Sequence, residues 1–211
     1  MSFCLANFTY LDNGPYSLTI EKGECCGLIG PSGIGKSQLC RAVTELILSE
    51  GKVMLDGEIR EHFSGPDWRR QVTYLPAESF WWFDFAGEHF SDGIDCNMLY
   101  RQCEQLGLDR EIVNWKVERL STGERQRLAL LRRVVGKPQV LLLDEPTSSL
   151  GEEHVRCVEE FVRGYQLSQG ASVLWISHDP AQLTRVAQVC YNMTKRALVR
   201  QTPKTKEASR G

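Results

Sequence analysis

The chain has 211 residues, of which 42% are hydrophobic and 25% are charged, and its formal net charge is −2. This length suits one domain that carries a modest insertion, and the near-neutral charge argues against a general binder of polyanions. No run of about 18 apolar residues occurs, so the chain is not expected to span a membrane by itself.

The N-terminal part of the chain predicts three strands, a glycine-rich loop and a helix. Phe3–Tyr10 and Ser17–Ile20 alternate between apolar and polar residues, which is typical of half-buried strands. Cys25–Ile29 is a short continuous apolar run, as expected for a buried strand. The following segment, 37–48, predicts a helix, because apolar residues recur at helical spacing at Leu39, Val43, Leu46 and Ile47.

The middle of the chain predicts a hairpin and then a helical insertion. Lys52–Leu55 and Glu58–Arg60 flank the dipeptide Asp56–Gly57, which is a hairpin signal. Between Ala77 and Trp115 the pattern becomes mostly helical. We therefore expect this segment to be an insertion into an α/β domain.

From Ser121 onward, helices and strands alternate. A helix is predicted to end at Gly136, VLLLD predicts a buried strand, and Glu152–Gln166 and Ser172–Ile176 predict a further helix and strand. This alternation indicates a mostly parallel sheet covered by helices. Residues 200–211 are rich in lysine and arginine and predict a flexible basic tail, with a contact to anionic lipid or nucleic acid as the alternative.

The glycine-rich loop matches a phosphate-binding motif. GPSGIGKS fits G-x-x-x-x-G-K-[ST] and lies between a predicted strand and a predicted helix, the context that a P-loop requires. Backbone N–H groups of such a loop surround phosphate oxygens, and the helix N-terminus adds partial positive charge. Lys36 is predicted to reach the β- and γ-phosphates, and the Ser37 hydroxyl to bind Mg²⁺. The predicted nucleotide-binding residues are Gly30, Pro31, Ser32, Gly33, Ile34, Gly35, Lys36, Ser37 and Gln38.

Two acidic residues follow the predicted strand VLLLD. Asp144 is at the C-terminal end of this strand, where it would lie beside the phosphates and bind Mg²⁺. Glu145 is one residue further on, where it could activate a water molecule for attack on the γ-phosphate. The alternative is an ordinary buried strand followed by an acid that caps a helix.

Three further stretches resemble the ATP-binding cassette (ABC) family. LSTGERQRL resembles the family signature L-S-G-G-Q, with Thr122 in a glycine position and Glu124 in place of glutamine. DEPTSSL is similar to the acidic strand and the D-loop, and His178 in VLWISHDP resembles the switch histidine. With the P-loop, these motifs occur in the order of the family and cover essentially the whole chain up to about Val199.

The resemblance implies a composite ATP site between two cassettes stacked head to tail. Glu145 would be the general base and His178 the sensor of the γ-phosphate. An aromatic residue near the N-terminus would stack on adenine; Tyr10 is the candidate, with Phe8 and Tyr16 behind it, and the alternative is that Tyr10 is an ordinary aromatic residue of a strand. The signature would contact ATP bound by the partner subunit, through Ser121, Thr122, Gly123 and Glu124.

The resemblance also implies the fold, the domains and the partners. The fold would be the α/β P-loop NTPase ABC fold, with antiparallel N-terminal strands. Residues 1–76 and 116–199 would form the ATP-binding core, and residues 77–115 a small helical subdomain. The partners would be a second cassette subunit, forming a homodimer with ATP, and a separate multi-span membrane subunit. Direct binding of nucleic acid is not expected.

These inferences predict an Mg²⁺-dependent ATP hydrolase that powers a membrane transporter. The eight cysteines contain no C-x-x-C pair and the N-terminus does not match a secretory signal, which favours a cytoplasmic protein held on the inner face of the membrane by its transporter subunit. The alternatives are a soluble cassette that acts on nucleic acid or ribosomes and a small-molecule kinase. A kinase would not account for the signature or for His178.

The chain departs from the family pattern at several positions. Ala77 stands where the family has a glutamine after Y-x-P, and Glu78 could substitute for it if the loop shifts by one residue. Gly151 stands where the D-loop would have an aspartate, which could alter coupling between the two sites. Next to Glu78, the run FWWFDF at 80–85 is either a docking surface for the membrane subunit or internal packing of the insertion.

Overall fold

In a computed structural model, residues 2–90 and 94–201 are described, and they form two β-sheets with α-helices packed around them. The first sheet is antiparallel, in the order β2-β1-β4-β5. Its strands are β1 (Ser2–Tyr10), β2 (Asn13–Glu21), β4 (Glu50–Leu55) and β5 (Glu58–Ile59). The predicted N-terminal strands and the hairpin at Asp56–Gly57 are therefore confirmed.

The second sheet has the order β10-β9-β3-β8-β7-β6. Its strands are β3 (Cys25–Ile29), β6 (Val72–Leu75), β7 (Val140–Asp144), β8 (Ser172–Ile176), β9 (Val189–Met193) and β10 (Leu198–Gln201). All neighbouring pairs are parallel except β9 and β10. The three central strands are buried on both faces, as the continuous apolar runs predict. The expected α/β class is confirmed.

The helices surround the two sheets. They are α1 (Lys36–Val43), α2 (Gly65–Gln71), α3 (Cys96–Gln105), α4 (Thr122–Val135), α5 (Glu152–Gln169) and α6 (Pro180–Val186). Helix α3 contacts α4. Short 3₁₀ turns occupy Arg60–His62, Ala86–His89, Ile112–Asn114 and Val117–Arg119. Within residues 2–90 and 94–201, no helix has both the length and the apolar character needed to cross a membrane.

The helix predicted over 37–48 is wrong beyond Val43. The Leu46 N–H donates to the Arg41 carbonyl at 2.8 Å, and Glu45 has φ +60°, a left-handed conformation that ends a helix. Leu46 is 56% exposed. The apolar periodicity therefore continued past the end of the helix, although Ile47 still packs partly against the core.

The segment 77–115 is less helical than its sequence pattern predicts. In its described part, α3 is the one α-helix, and the stretch before the turn Ala86–His89 has no regular secondary structure. Its apolar residues join one hydrophobic cluster with α4, α5 and β7. Those from the segment are Ala86, Leu99, Cys103, Leu106, Leu108, Ile112 and Val113. The segment therefore packs on the common core and does not form a core of its own.

The predicted tail begins inside a strand. Arg200 and Gln201 belong to β10, where Arg200 pairs with Tyr191 of β9. The prediction that the tail starts at residue 200 is therefore wrong for these two residues, because backbone pairing continues through them. The rest of the predicted tail, 202–211, lies outside the described residues.

Candidate functional site

The predicted phosphate-binding loop connects β3 to α1. Gly35 precedes the helix with φ +110°, and a methyl group there would lie 2.9 Å from the Asn13 side chain. Pro31 and Gly33 are exposed, so the loop is open to solvent. No side chain caps the N-terminus of α1 and no acidic residue occupies its first turn. Its backbone N–H groups are therefore suited to bind an anion.

Lys36 lies against the predicted phosphate-binding loop. Its ammonium donates hydrogen bonds to the carbonyls of Gly30 at 2.8 Å and Pro31 at 3.1 Å. Burial lowers the pKa of Lys36, and the nearby carboxylates of Glu145 and Asp144 oppose this effect. The lysine is thus close to both acidic residues, as expected for a phosphate site. Ser37 and Gln38, the next residues of α1, are half-buried.

Asp144 ends β7 and is buried, with 3% exposure. Its Oδ2 accepts a hydrogen bond of 2.9 Å from the Tyr74 hydroxyl on the neighbouring strand β6. Burial is the largest cause of the raised pKa of Tyr74, so this side chain stays a neutral donor. Sequence reasoning missed Tyr74, because no motif marks a tyrosine in a short apolar strand.

Glu145 lies beside His178. Its Oε1 is 3.4 Å from His178 Nε2, and this oxygen has no hydrogen-bond partner in the part of the chain that the structure describes. Burial raises the pKa of Glu145, whereas His178 and Lys36 lower it. Glu145 has φ +50°, and its N–H donates to the Ile176 carbonyl at 3.1 Å. The structure therefore brings the predicted general base and the predicted sensor together.

The signature segment forms the N-terminus of α4. Ser121 caps this helix: its Oγ accepts from the Glu124 N–H at 3.2 Å, and the Glu124 carboxylate accepts from the Ser121 N–H at 2.8 Å. Thr122 is exposed, and a methyl group at Gly123 would lie 2.9 Å from Leu150 Cδ2. Glu124 thus completes a capping box, which stabilises the first turn of α4.

The predicted adenine contact of Tyr10 is wrong in this structure. Tyr10 is 2% exposed, its ring contacts those of Phe8 and Tyr16, and its hydroxyl donates to the Gly35 carbonyl at 2.9 Å. Phe8 and Tyr16 are also buried. These rings are enclosed in the core between the first sheet and α1, because the hairpin β1–β2 packs directly on the loop.

Glu78 and Ala77 lie in an exposed bend after β6. The substitution of Glu78 for the missing glutamine stays a prediction. Gly151 immediately precedes α5, and the altered coupling that it could cause also stays a prediction.

The aromatic run that follows Glu78 is largely on the surface. Phe80, Trp82, Phe83 and Phe85 are exposed, whereas Trp81 is partly buried against the core. The Arg132 guanidinium of α4 lies over the rings of Trp81 and Trp82, 4.7 and 4.9 Å from their centroids.

His89 contacts the backbone of the aromatic run. Its Nε2 accepts hydrogen bonds from the backbone N–H groups of Trp82 and Phe83. His89 itself is buried.

Comparisons with known proteins agree with this arrangement. A family model described as ABC transporter matches residues 14–148. The probable iron export ATP-binding protein FetA of Escherichia coli (strain K12) is 30% identical over 189 residues, which cover 82% of this chain and 80% of that protein. The phosphonates import ATP-binding protein PhnC of Alcaligenes faecalis is 34% identical over 190 residues, or 77% and 67% of the two chains. The tungstate uptake system ATP-binding protein TupC of Peptoclostridium acidaminophilum is 30% identical over 182 residues, or 81% of each chain.

A solved structure shares the fold. The structure of a bacterial Atm1-family ABC exporter with ATP bound superposes with a TM-score of 0.84 at 22% identity, over 94% of this chain and 38% of that chain. The chain thus spans well under half of the exporter polypeptide. The P-loop, the acidic pair, the signature helix and the similarity to named ATP-binding subunits lead to one conclusion: the chain belongs to the ABC transporter family, as an ATP-hydrolysing subunit that powers a membrane transporter.

Proposed function

We propose that this subunit hydrolyses Mg²⁺-ATP in a site shared by two cassettes, with Glu145 as general base and His178 as the sensor of the γ-phosphate. The observation that carries this proposal is the pairing of Glu145 Oε1 with His178 Nε2 at 3.4 Å. That oxygen has no hydrogen-bond partner among the described residues, so it is available to accept a proton from an attacking water.

The triphosphate would bind to the loop and to the start of α1. Backbone N–H groups from Gly30 to Gln38 would surround the β- and γ-phosphates. Lys36 would exchange its contacts with the Gly30 and Pro31 carbonyls for phosphate oxygens. This exchange keeps the ammonium hydrogen-bonded in both states, because the loop carbonyls serve as acceptors when no phosphate is bound.

Asp144 and Ser37 fit a magnesium site. Both offer oxygen donors, which Mg²⁺ prefers, and the buried Asp144 carboxylate is paired with the neutral Tyr74 hydroxyl, which leaves its negative charge uncompensated by this contact. Asp144 and Ser37 would hold the ion, which would supply positive charge to offset that of the phosphates.

Glu145 would take the proton of the attacking water at Oε1. The raised pKa of this carboxyl, caused by burial, brings the base closer to neutral pH, where proton transfer is more effective. His178 Nε2 lies 3.4 Å from this oxygen, which supports a role for the two side chains at the same phosphate.

The second cassette would be another copy of this chain. The signature residues Ser121, Thr122, Gly123 and Glu124 would face ATP bound to the partner copy, with Ser121 and Gly123 in contact with its γ-phosphate. Ser121 and Thr122 are exposed at the start of α4, and the Ser121 hydroxyl, which donates to the Glu124 carboxylate at 2.8 Å, would donate to a phosphate oxygen instead. Residues 1–76 and 116–199 would form the ATP-binding core, and residues 77–115 the helical subdomain.

A separate multi-span membrane subunit would hold the dimer on the inner face of the membrane. The exposed rings of Phe80, Trp82, Phe83 and Phe85 support docking at this position, since exposed aromatic patches commonly mark interaction sites. The relatives' names describe transport systems and do not favour a cassette that acts on nucleic acid or ribosomes.

Glu145→Gln tests the proposal. The variant should lose turnover and accumulate as an ATP-bound dimer, measured by phosphate release and by light scattering. Glu153→Gln, at an exposed position at the start of α5, is the matched control and should hydrolyse ATP normally. Unchanged turnover in Glu145→Gln removes Glu145 as the base. Recovery of the chain with ribosomes or DNA, in place of a multi-span membrane protein, would contradict the transporter assignment.

A further inference from the structure

Gln126 of α4 is buried and contacts the segment that carries Glu145. Its exposure is 5%. Its side-chain Nε2 donates a hydrogen bond of 2.8 Å to the Glu145 carbonyl, and its Oε1 accepts one from the Ser149 hydroxyl. One amide therefore contacts both ends of the segment 145–149, which we call the catalytic loop.

The backbone of Glu145 needs such support. Its φ of +50° is a left-handed conformation that is unfavourable for a residue with a side chain. The Glu145 N–H is held by the Ile176 carbonyl of β8, and the Glu145 carbonyl is held by Gln126. Together these two contacts fix the peptide groups on either side of the carboxylate that faces His178.

The signature segment also packs on the catalytic loop and on the residue after it. A methyl group at Gly123 would lie 2.9 Å from Leu150 Cδ2 and 3.4 Å from the Ser149 carbonyl. Gln126 follows Gly123 on α4 by three residues, which places the two on neighbouring turns of one helix face. The N-terminus of α4 therefore lies in close contact with the segment that follows Glu145.

We propose that Gln126 is a positioning residue that links the signature segment to the general base of the same subunit. The inference rests on the proposed function, in which the signature contacts ATP bound to the partner. When ATP occupies the partner's site, its contacts with the signature would hold the start of α4. Gln126 would then couple the position of α4 to the position of Glu145. The link is independent of residue 151, where this chain has glycine.

Steady-state ATP hydrolysis by the full chain, with its membrane partner where the two co-purify, tests the inference. Gln126→Met removes both contacts at similar volume, and Ser149→Ala removes only the contact with the hydroxyl. We expect kcat of Gln126→Met to fall on the order of tenfold, the effect of one hydrogen bond of about 1–1.5 kcal/mol. The KM of Gln126→Met for ATP should stay within about twofold of the wild-type value. The kcat of Ser149→Ala should fall less than that of Gln126→Met.

Gln166→Met is the matched control. Gln166 is another buried glutamine, and its amide donates to the Gly23 carbonyl, far from the catalytic loop in the sequence. This variant should lose stability yet keep its kcat. Where Gln126→Met does not fold, Gln126→Leu serves instead, because it removes the same two contacts with an apolar side chain of a different shape.

Two outcomes overturn the inference: a kcat within about twofold of wild type in the Gln126 variants, or an equal loss in Gln166→Met. Failure of the proposed function would be distinct, because Glu145→Gln would then retain turnover. In the Glu145→Gln background, Gln126→Met should still form the ATP-bound dimer, which separates positioning of the base from loss of the fold.

Discussion

Replacing Tyr74 with phenylalanine should destabilise the protein, because it removes the hydroxyl that donates to the buried carboxylate of Asp144. A hydrogen bond to a charged group contributes about 1.5–3 kcal/mol, more than one between neutral groups. For a chain of this size each kcal/mol corresponds to about 2–4 °C in Tm, so we expect a decrease of about 3–12 °C.

Thermal unfolding followed by circular dichroism measures this effect. Tyr165→Phe is the matched control, because Tyr165 is also buried and its hydroxyl donates to the neutral Pro138 carbonyl at 2.7 Å. This neutral hydrogen bond contributes about 0.5–1.5 kcal/mol. When Mg²⁺-ATP is added, the difference in Tm between wild type and Tyr74→Phe should become smaller, since Asp144 gains another partner. The difference in Tm between wild type and Tyr165→Phe should not change.

The reasoning is refuted if Tyr74→Phe melts no lower than Tyr165→Phe without nucleotide. That result would mean that the Asp144 carboxylate does not depend on the Tyr74 hydroxyl for its stabilisation.

Three further predictions concern the base, a glycine and the aromatic run. Burial raises the pKa of Glu145, and a general base acts only when it is deprotonated. As the pH is lowered, kcat should therefore begin to fall at a higher pH than it would for a carboxyl group of ordinary pKa. A fall in kcat centred at the ordinary pKa of a carboxyl group would contradict the role of Glu145 as general base. Gly51→Ala should cost at least about 2 kcal/mol in urea unfolding, because a methyl group there would overlap the backbone of β1 at φ +90°. Gly23→Ala is the control, because a methyl group at Gly23 would have no atom within 4 Å, and it should lower the free energy of unfolding less. Equal decreases in the two variants would show that overlap with β1 is not the cause. Replacing Trp82 and Phe83 with serine should weaken recovery of the membrane subunit while leaving Tm nearly unchanged, and unfolding would instead favour internal packing.

The sequence predicted the parts of the site that follow from strand topology. Asp144 and Ile176 are paired on the adjacent parallel strands β7 and β8, so the residues that follow them, Glu145 and His178, emerge at the same edge of the sheet. The loop between β3 and α1 reaches that edge as well. The order of the motifs and their resemblance to the ABC family were therefore enough to predict that these groups serve one site, whereas the adjacency of β7 and β8 is known from the structure.

Contacts that depend on side-chain packing were not predictable. Tyr74 and Gln126 bind Asp144 and the catalytic loop through groups that no local pattern distinguishes from ordinary core residues. The end of α1 at Val43 depends on the backbone turn at Glu45, whereas apolar spacing reports only the pattern of side chains. Tyr10 lies on β1, which the sequence predicted as a strand, but the orientation of its ring is set by packing against the loop.

The burial of Tyr10 has a consequence for the choice of nucleotide. With Phe8, Tyr10 and Tyr16 all enclosed, none of these rings offers a face on which a purine could stack, and the chain contains no N-K-x-D sequence for reading guanine. Binding energy would then come mainly from the phosphates, which all nucleoside triphosphates share. We therefore expect this subunit to hydrolyse GTP at a rate comparable to that for ATP.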